Sequence, residues 1–238
     1  MVRVRARDLH ALDREISACR ACPRLVEWRE QVGREKRAAF RDEAYWARPV
    51  PGFGDPRARV LIVGLAPAAH GGNRTGRVFT GDRSGDFLFA SMFRCGFANQ
   101  PVSVAVDDGL VLHDAYVAAA VRCAPPANKP TPAERDECAP YLERELELLE
   151  QVRVIVVLGA FGYAAAWALL RHSLPADMLA VPRPRFAHGL EVECGPITVL
   201  GAFHPSQQNT FTGRLTPPML DDVFERAAYL SARSSPAP

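Results

Sequence analysis

A three-layer α/β/α fold, with a central four-stranded parallel sheet between helices, is the architecture that the sequence predicts. Short apolar runs without polar alternation are typical of strands that are buried on both faces. These runs alternate along the chain with segments of helical character, which favours parallel strands joined by helices. Because neither a repeat nor a linker divides the 238 residues, we expect a single domain over 1–238.

The first part of the chain, 1–57, is expected to be helical and then irregular. Residues 9–35 have the character of a helix that a cysteine pair and a proline interrupt. Residues 36–57 contain closely spaced prolines and glycines, which mark a loop before the first strand.

Four apolar runs, most of them closed by glycine or proline, are predicted as the strands of the sheet. A further short strand is expected at 190–193, inside a Pro-rich and irregular stretch. The four runs are RVLIVGLAP (59–67), YVAAAVR (116–122), VIVVL (154–158) and ITVLGAF (197–203).

Helices are predicted in the three intervals between these strands and after the last strand. Ser84 can cap the first of them, and the apolar positions that follow it have helical spacing. The sequence Thr131-Pro132-Ala133-Glu134 is a capping box with proline at the first helical position. The tail 231–238 is expected to fray. The predicted bounds are about 84–97, 131–152, 160–171 and 216–230.

The composition gives little sign of a charged partner. The formal net charge is +2, with 29 basic and 27 acidic residues, so no bulk basic field indicates a nucleic acid. Only Lys36 and Lys129 are lysines, and arginine offers bidentate contacts to phosphate, so DNA is not excluded. No apolar run is long enough for a membrane span, and the N-terminus lacks the apolar core of a secretory leader. We therefore expect a cytoplasmic protein without a membrane partner.

Four cysteines in two distant segments form the most distinctive pattern of the chain. Cys19 and Cys22 make a CxxC pair, and Cys123 is followed by Cys138. A reducing cytoplasm disfavours disulfides, so such cysteines indicate a metal site, either tetrahedral zinc or an iron–sulfur cluster. Zinc sites usually have two close pairs, so the wide second spacing favours iron–sulfur. Unrelated buried cysteines are the plainer alternative, and the other two of the six cysteines fit it.

Three loops are expected to meet at the carboxyl edge of the sheet, where folds of this class bind ligands. They supply Phe79, Asp82, Asn128 and His204. Each of these residues also has an ordinary structural interpretation, as a core aromatic, a helix cap, a turn residue and a buried histidine respectively. Their convergence on one edge nevertheless predicts a site, although neither of the usual glycine patterns for phosphate binding is present.

Three long strings contain these residues and two of the cysteines. They are GLAPAAHGGNRTGRVFTGDRSGDFL (64–88), VRCAPPANKPTPAERDEC (121–138) and HPSQQNTFTGRLT (204–216). The strings resemble the signature segments of the uracil-DNA glycosylase superfamily, and in particular its family 5, the iron–sulfur type of bacteria and archaea. The resemblance extends from Cys19 to about residue 230.

The resemblance implies a monofunctional DNA repair glycosylase. Such an enzyme hydrolyses the N-glycosidic bond of a deaminated base such as uracil in double- or single-stranded DNA and leaves an abasic site. The resemblance further implies a [4Fe–4S] cluster on the four cysteines, a monomer, and a location at the nucleoid.

The resemblance also gives roles to the residues of the site. The target base has to be flipped into a pocket, because it cannot be reached inside a duplex. Phe79 would stack on that base, and the backbone of Gly64, Leu65 and Ala66 would lie against its edge. His204 would stabilise the negative charge on the departing base.

Two further residues and one segment complete the implied site. Asn128 would hydrogen-bond the base edge or hold the attacking water. Ser206 and the segment 207–214 would grip phosphates and fill the gap that the flipped base leaves in the stack.

The chain departs from the wider superfamily at two places. Many relatives carry an acidic or amide side chain just before Pro67, where this chain has Leu65 and Ala66, so we assign the water to Asp82. An electrostatic role for Asp82 at the sugar is the alternative. At Ala119, family 4 relatives carry an asparagine that reads uracil, and its absence predicts a tolerant pocket that also accepts hypoxanthine and other damaged bases.

Two other functions stay open at this point. One is an iron–sulfur protein that binds DNA damage without turnover. The other is a metal-dependent hydrolase of free nucleotides, against which the missing phosphate-binding patterns argue.

Overall fold

The computed structural model describes residues 2–232, with side chains from Asp8 onward. Within this range the helices are α1 (Val2–Ala18), α2 (Pro23–Glu35), α3 (Gly72–Thr75), α4 (Arg83–Arg94), α5 (Pro132–Leu148), α6 (Gly159–Ser173), α7 (Gln207–Phe211) and α8 (Pro217–Ala232). The strands are β1 (Phe53–Gly54), β2 (Val60–Gly64), β3 (Ala115–Ala119), β4 (Val154–Leu158), β5 (Glu191–Cys194) and β6 (Ile197–Ala202). Short 3-10 turns are present at Ala38–Phe40, Pro126–Asn128 and Ala176–Met178.

The strands form one sheet in the order β1-β3-β2-β4-β6-β5. The four inner strands are parallel, and Val60 of β2 lies opposite Ala115 on one side and Val154 on the other. This confirms the predicted four-stranded parallel centre. Two short antiparallel strands extend it at the edges. The strand predicted at 190–193 is β5, whereas β1 was not predicted because two residues carry no hydrophobic period.

Successive residues of β2 show how the sheet divides the core in two. Val60 and Ile62 face the layer in which α4 and α8 pack. Leu61 and Val63 face the opposite layer, which contains α1, α5 and α6. Because alternate side chains of a strand point to opposite faces, burial on both faces requires an uninterrupted apolar run. The predicted three-layer α/β/α architecture is confirmed.

Helix boundaries depend on which residue caps the helix. α4 begins one residue before Ser84, because Asp82 and not Ser84 is its N-cap. The Oδ1 atom of Asp82 accepts hydrogen bonds from the N–H groups of Ser84 and Gly85 at 2.9 and 3.0 Å. The capping box that opens α5 is confirmed, since Thr131 and Glu134 each bond the backbone N–H of the other.

The predicted frayed tail, 231–238, is described only in part. Ser231 and Ala232 are the last residues of α8, and the remainder lies outside the described residues. In the described part of the chain, no helix is both long enough and apolar enough to cross a membrane.

Candidate active site

A cavity of about 520 Å³ lies at the carboxyl edge of the parallel strands. Its walls come from the segment after β2, the turn after β3 and the segment after β6, so the loops that were expected to meet do meet. The predicted site residues that line it are Leu65, Ala66, Phe79, Asp82, Asn128, His204 and Ser206.

Phe79 has a backbone conformation that is rare for an aromatic residue, with φ at +53°. Two glycines accommodate it: a Cβ on Gly64 would lie 2.7 Å from Cε2 of the Phe79 ring, and one on Gly85 would lie 1.7 Å from the Phe79 carbonyl oxygen. The centroid of the ring is 6.0 Å from that of the His204 ring. Strain of this kind persists where the surrounding structure holds a side chain in one place, which is common at functional sites.

Gly64 has a different place from the one expected. It is not among the residues that line the cavity, because the ring of Phe79 lies against it. Its carbonyl oxygen accepts a hydrogen bond from the N–H of Ala120 at 3.0 Å, and the carbonyl of Leu65 accepts one from Val121 at 3.1 Å. These bonds continue the pairing of β2 with β3. Gly64 therefore serves the site by leaving room for Phe79.

One carboxylate oxygen of Asp82 caps the N-terminus of α4, and the Asp82 side chain also lines the cavity. Its Oδ2 atom lies close to Gly71, where a Cβ would be only 2.1 Å away. Burial raises the pKa of Asp82 above its ordinary value, and the two backbone hydrogen bonds to Oδ1 oppose that rise. The result is a partly desolvated carboxylate in a fixed orientation.

His204 follows β6 and is held in its neutral form by burial. Desolvation lowers the pKa of His204 from 6.5 to about 4. Its carbonyl oxygen accepts a hydrogen bond from Nδ2 of Asn209 at 2.8 Å, which ties it to α7. At neutral pH the imidazole can donate one hydrogen bond without carrying a charge.

The lowered pKa of His204 predicts a pH dependence of stability. As the pH falls below about 6.5 the imidazole of the unfolded chain takes a proton, whereas the folded chain does so only near pH 4. Since the unfolded state binds more protons in this window, the free energy of unfolding should fall by up to about 3 kcal/mol between pH 6.5 and 4. Denaturant titrations of the wild type and of His204→Asn across this range measure the difference. An identical pH dependence in the two proteins would contradict the prediction.

Asn128 lies in a strained turn at the mouth of the cavity. Ala127 and Asn128 have φ values of +52° and +55°, in the left-handed region. Asparagine tolerates this region better than most residues, because its short polar side chain can bond locally. The Asn128 residue is exposed, so its amide stands at the rim of the cavity. Asn128→Gly is therefore a better probe of the amide than an alanine substitution, which would add strain.

Ser206 is the N-cap of α7 and accepts a hydrogen bond from the N–H of Asn209 at 3.4 Å. Its hydroxyl hydrogen stays free to donate. At the other end of α7, Phe211 is 66% exposed, and the guanidinium of Arg83 lies 5.3 Å from its ring centroid. Phe211 of the segment 207–214 and Arg83 of α4 thus place an aromatic side chain and a cation beside the cavity.

Several lining residues were not anticipated, although they adjoin predicted ones along the chain. Arg83 and Lys129 add positive charge on two sides of the cavity, which only the spatial meeting of their loops makes apparent. The unanticipated residues are Ala68, Arg83, Ser84, Ala127 and Lys129, whereas Gln207 and Gln208 belong to the segment 207–214 that was expected at the site.

The four cysteines Cys19, Cys22, Cys123 and Cys138 line one small cavity between α2, α5 and the segment after β3. None of them forms a disulfide. Their convergence was predicted from the sequence pattern alone. In the described part of the chain, however, no group of three or more His, Cys, Asp or Glu side chains is arranged to hold a metal ion.

A buried arginine accompanies the cysteines and bears on what they could bind. Arg29 is 2% exposed, and it donates hydrogen bonds to Sγ of Cys123 at 2.9 Å and to the carbonyl oxygen of Cys19 at 3.1 Å. Its Nε atom is buried without a hydrogen-bond partner. A buried cation is costly unless an anion compensates it, and metal-bound thiolates would supply that anion. The donor set and its charge therefore fit a thiolate-ligated group.

Comparison with known proteins adds evidence from sequence. Residues 51–228, which contain the whole sheet and every lining residue of the active-site cavity, match the model of the uracil DNA glycosylase superfamily. The chain is 55% identical over 226 residues to a type-5 uracil-DNA glycosylase of Mycobacterium bovis, which covers 94% of this chain and 81% of the relative.

Two further relatives, both type-5 uracil-DNA glycosylases, are matched over nearly their whole length. The one from Mycobacterium leprae is 54% identical, with 95% of this chain and 97% of the relative covered. The one from Thermus thermophilus is 51% identical, with coverage of 94% and 99%. The chain therefore belongs to the uracil-DNA glycosylase superfamily and, within it, to the type-5 family.

Proposed function

We propose that the protein is a DNA repair glycosylase that removes uracil from DNA by hydrolysing its N-glycosidic bond. The observation that carries the proposal is the convergence of a fixed aromatic ring, a neutral histidine and a partly desolvated carboxylate on one cavity. The names and the high identity of the type-5 relatives support the same activity.

The cavity suits a planar base that has been flipped out of a duplex. A volume of about 520 Å³ lies within the usual range for small-molecule sites. The ring of Phe79 offers a stacking surface, and an aromatic face accepts any base because every base has a π-face. Leu65, Ala66 and Ala68 provide apolar walls. These walls exclude water from the base and so strengthen electrostatic interactions within the site.

His204 and Asp82 act on the two sides of the bond that breaks. As the glycosidic bond cleaves, its electron pair stays with the base, and the neutral imidazole of His204 donates a hydrogen bond to the negative charge that develops there. The sugar becomes cationic, and the carboxylate of Asp82 stabilises it and orients a water molecule. The water oxygen adds to the sugar carbon, and the proton that it gives up neutralises the departing base anion, which leaves an abasic site and a free base.

The surface around the cavity suits contacts with DNA. Arg83 and Lys129 at the cavity can neutralise phosphates, and Ser206 can donate its hydroxyl hydrogen to a phosphate oxygen. The exposed Phe211 ring can fill the gap that the flipped base leaves, in the way of other apolar wedges. Asn128 at the rim meets the base edge or the water. We propose that the protein acts as a monomer on double- and single-stranded DNA, in the cytoplasm at the nucleoid.

We assign a [4Fe–4S] cluster to Cys19, Cys22, Cys123 and Cys138. When bound, such a cluster would join the segment between α1 and α2 to the segment after β3 and to α5, as a structural staple. The buried guanidinium of Arg29 would compensate the negative charge of the thiolates. The cluster takes no part in the cleavage that we propose.

An assay on damaged DNA distinguishes this function from its alternatives. Incubation with a duplex oligonucleotide that contains one uracil should release free uracil and leave a strand that alkali cleaves at the abasic site. Binding without base release would support a damage-binding protein. Hydrolysis of deoxyuridine nucleotides without action on the duplex would support a hydrolase of free nucleotides.

We predict that the enzyme accepts several deaminated bases. Ala119 is buried in β3 and does not line the cavity, so this position contributes no polar group that reads the base. A pocket that relies on stacking and apolar walls discriminates by only about 1–3 kcal/mol per missing group, or roughly 10- to 200-fold. Duplexes with uracil, hypoxanthine, xanthine or thymine, compared under single-turnover conditions, should show excision of uracil and hypoxanthine.

Excision confined to uracil, with hypoxanthine at background even at high enzyme concentration, would contradict this prediction. Asn128 would then be the first residue to test, and Asn128→Gly should broaden the range without abolishing activity. Easily opened mismatches should react faster than paired bases, because they cost less to flip.

A further inference from the structure

A second cavity, of about 920 Å³, is larger than the active site and shares no lining residue with it. It lies beside α1, α2 and the loop that leads to β1. Thr75 and Gly76, at the end of α3, belong to this cavity, whereas Ala68, just before α3, belongs to the active site. One short piece of chain therefore contributes to both cavities.

An indole ring in a fixed orientation forms part of the wall. Nε1 of Trp46 donates a hydrogen bond to the carbonyl oxygen of Pro49 at 3.0 Å, and its backbone N–H bonds the carbonyl oxygen of Arg74 at 2.9 Å. Gly76 lies against the ring, since a Cβ there would be 3.1 Å from Cδ2. Ala47 next to it has φ at +50°, a strained conformation for alanine. A loop that is held in this way keeps the ring half-buried at the cavity, ready to stack on a planar ligand.

The rest of the wall carries an excess of positive charge. Arg29 also reaches this wall, but its guanidinium donates hydrogen bonds to Cys123 and Cys19, so its charge belongs to the cysteine cavity and not to this one. Arg48 is exposed, with its guanidinium 5.4 Å from the centroid of the Trp46 ring. The lining arginines are Arg14, Arg20, Arg29 and Arg48, and the lining carboxylates are Asp13 and Glu30.

The carboxylates do not cancel this charge. Glu30 forms an ion pair with Arg20 at the surface. Asp13 lies 3.6 Å from His10, and its Oδ1 atom is buried without a hydrogen-bond partner. Arg14 and Arg48 are thus available to an anionic ligand.

We propose that this cavity binds a nucleotide, either free or as a unit of single-stranded DNA. The base stacks on the indole of Trp46, which suits any base. The guanidinium of Arg48 leaves the ring as the base arrives and, together with Arg14, bonds the phosphate, since guanidinium groups match phosphate oxygens. This site is independent of the glycosylase activity proposed above.

Calorimetry with two probes tests the proposal and distinguishes a free nucleotide from a unit of single-stranded DNA as the ligand. The probes are dAMP and an unmodified single-stranded pentanucleotide, which contains no uracil. Binding of dAMP alone that Trp46→Ala weakens assigns the site to free nucleotides, and tighter binding of the pentanucleotide that Trp46→Ala weakens assigns it to a DNA strand. Trp46→Ala should weaken binding by about fivefold to 150-fold, because stacking on an aromatic ring contributes this much per base. Trp46→Phe should retain most of the affinity.

The role of Arg14 and Arg48 in phosphate binding is tested by a double variant with a matched control. The double variant Arg14→Ala/Arg48→Ala should weaken binding and flatten its salt dependence, since fewer phosphate contacts remain. Arg171→Ala removes an exposed arginine of α6 far along the chain and should leave binding unchanged. All measurements are repeated in a Phe79→Ala background, which removes stacking in the active site. No saturable binding, or binding that Trp46→Ala leaves intact in either background, would overturn the proposal.

Discussion

Asp82→Asn is expected to lower the single-turnover rate of uracil excision by roughly ten- to a thousandfold, while the fold and DNA binding are retained. The amide oxygen of asparagine can still accept the hydrogen bonds from Ser84 and Gly85, because Asn caps helices as well as Asp does. What the substitution removes is the negative charge, which would stabilise the cationic sugar and orient the water.

Two further variants test whether the effect comes from the charge and the position of the Asp82 carboxylate. Asp86→Asn removes a neighbouring carboxylate of α4 that does not line the cavity, and it should keep nearly the full rate. Gly71→Ala keeps the carboxylate but places a methyl group 2.1 Å from its Oδ2 atom, so the carboxylate has to move. We expect a slower enzyme from Gly71→Ala as well. Full activity in Asp82→Asn would remove Asp82 from the mechanism and direct attention to Asn128.

Cys138→Ala is expected to abolish the iron content and the colour of the protein and to reduce its soluble yield severely. The purified wild type should be yellow-brown, with about four irons per chain. Because the ligands also hold the fold together, loss of one ligand destabilises the segments that the cluster joins. Iron and zinc analysis, the visible spectrum and the midpoint of thermal unfolding measure these effects.

Cys194→Ala is the matched control for this substitution. Cys194 is equally buried, in β5, but it does not line the cysteine cavity. The control should keep its iron and its colour and lose only the stability of a small buried side chain. Stoichiometric zinc in colourless protein that was prepared without oxygen would contradict the iron–sulfur assignment.

The core of the fold could be predicted from the sequence because it depends on local patterns. The apolar runs of β2, β3, β4 and β6 are buried on both faces. Burial of this kind is typical of a parallel sheet that lies between two layers of helices. The capping box of α5 was equally visible, since all of its members lie within four residues. The sequence offered both Ser84 and Asp82 as caps of α4, because serine and aspartate both favour that position, and the structure selects Asp82.

The candidate site could be predicted in part for the same reason. Phe79, Asp82 and His204 follow predicted strands, so the topology rule for parallel sheets brings them to one edge. The place of Gly64 behind the Phe79 ring could not be foreseen, because it depends on a close approach between two loops. The positions of Arg83 and Lys129 likewise depend on how the loops fold back on the cavity.

The sequence by itself determined the class of fold, the family, the residues at the carboxyl edge and the four cysteines as candidate metal ligands. These properties follow from hydrophobic periodicity, turn chemistry and long ordered motifs, which are all carried by neighbouring residues. Only the tertiary structure decided that burial keeps His204 neutral, that Arg29 lies buried against the cysteines, and that Trp46 and several arginines enclose a second cavity. Desolvation, charge compensation and cavity shape arise between residues that are distant in the chain, so no local pattern encodes them.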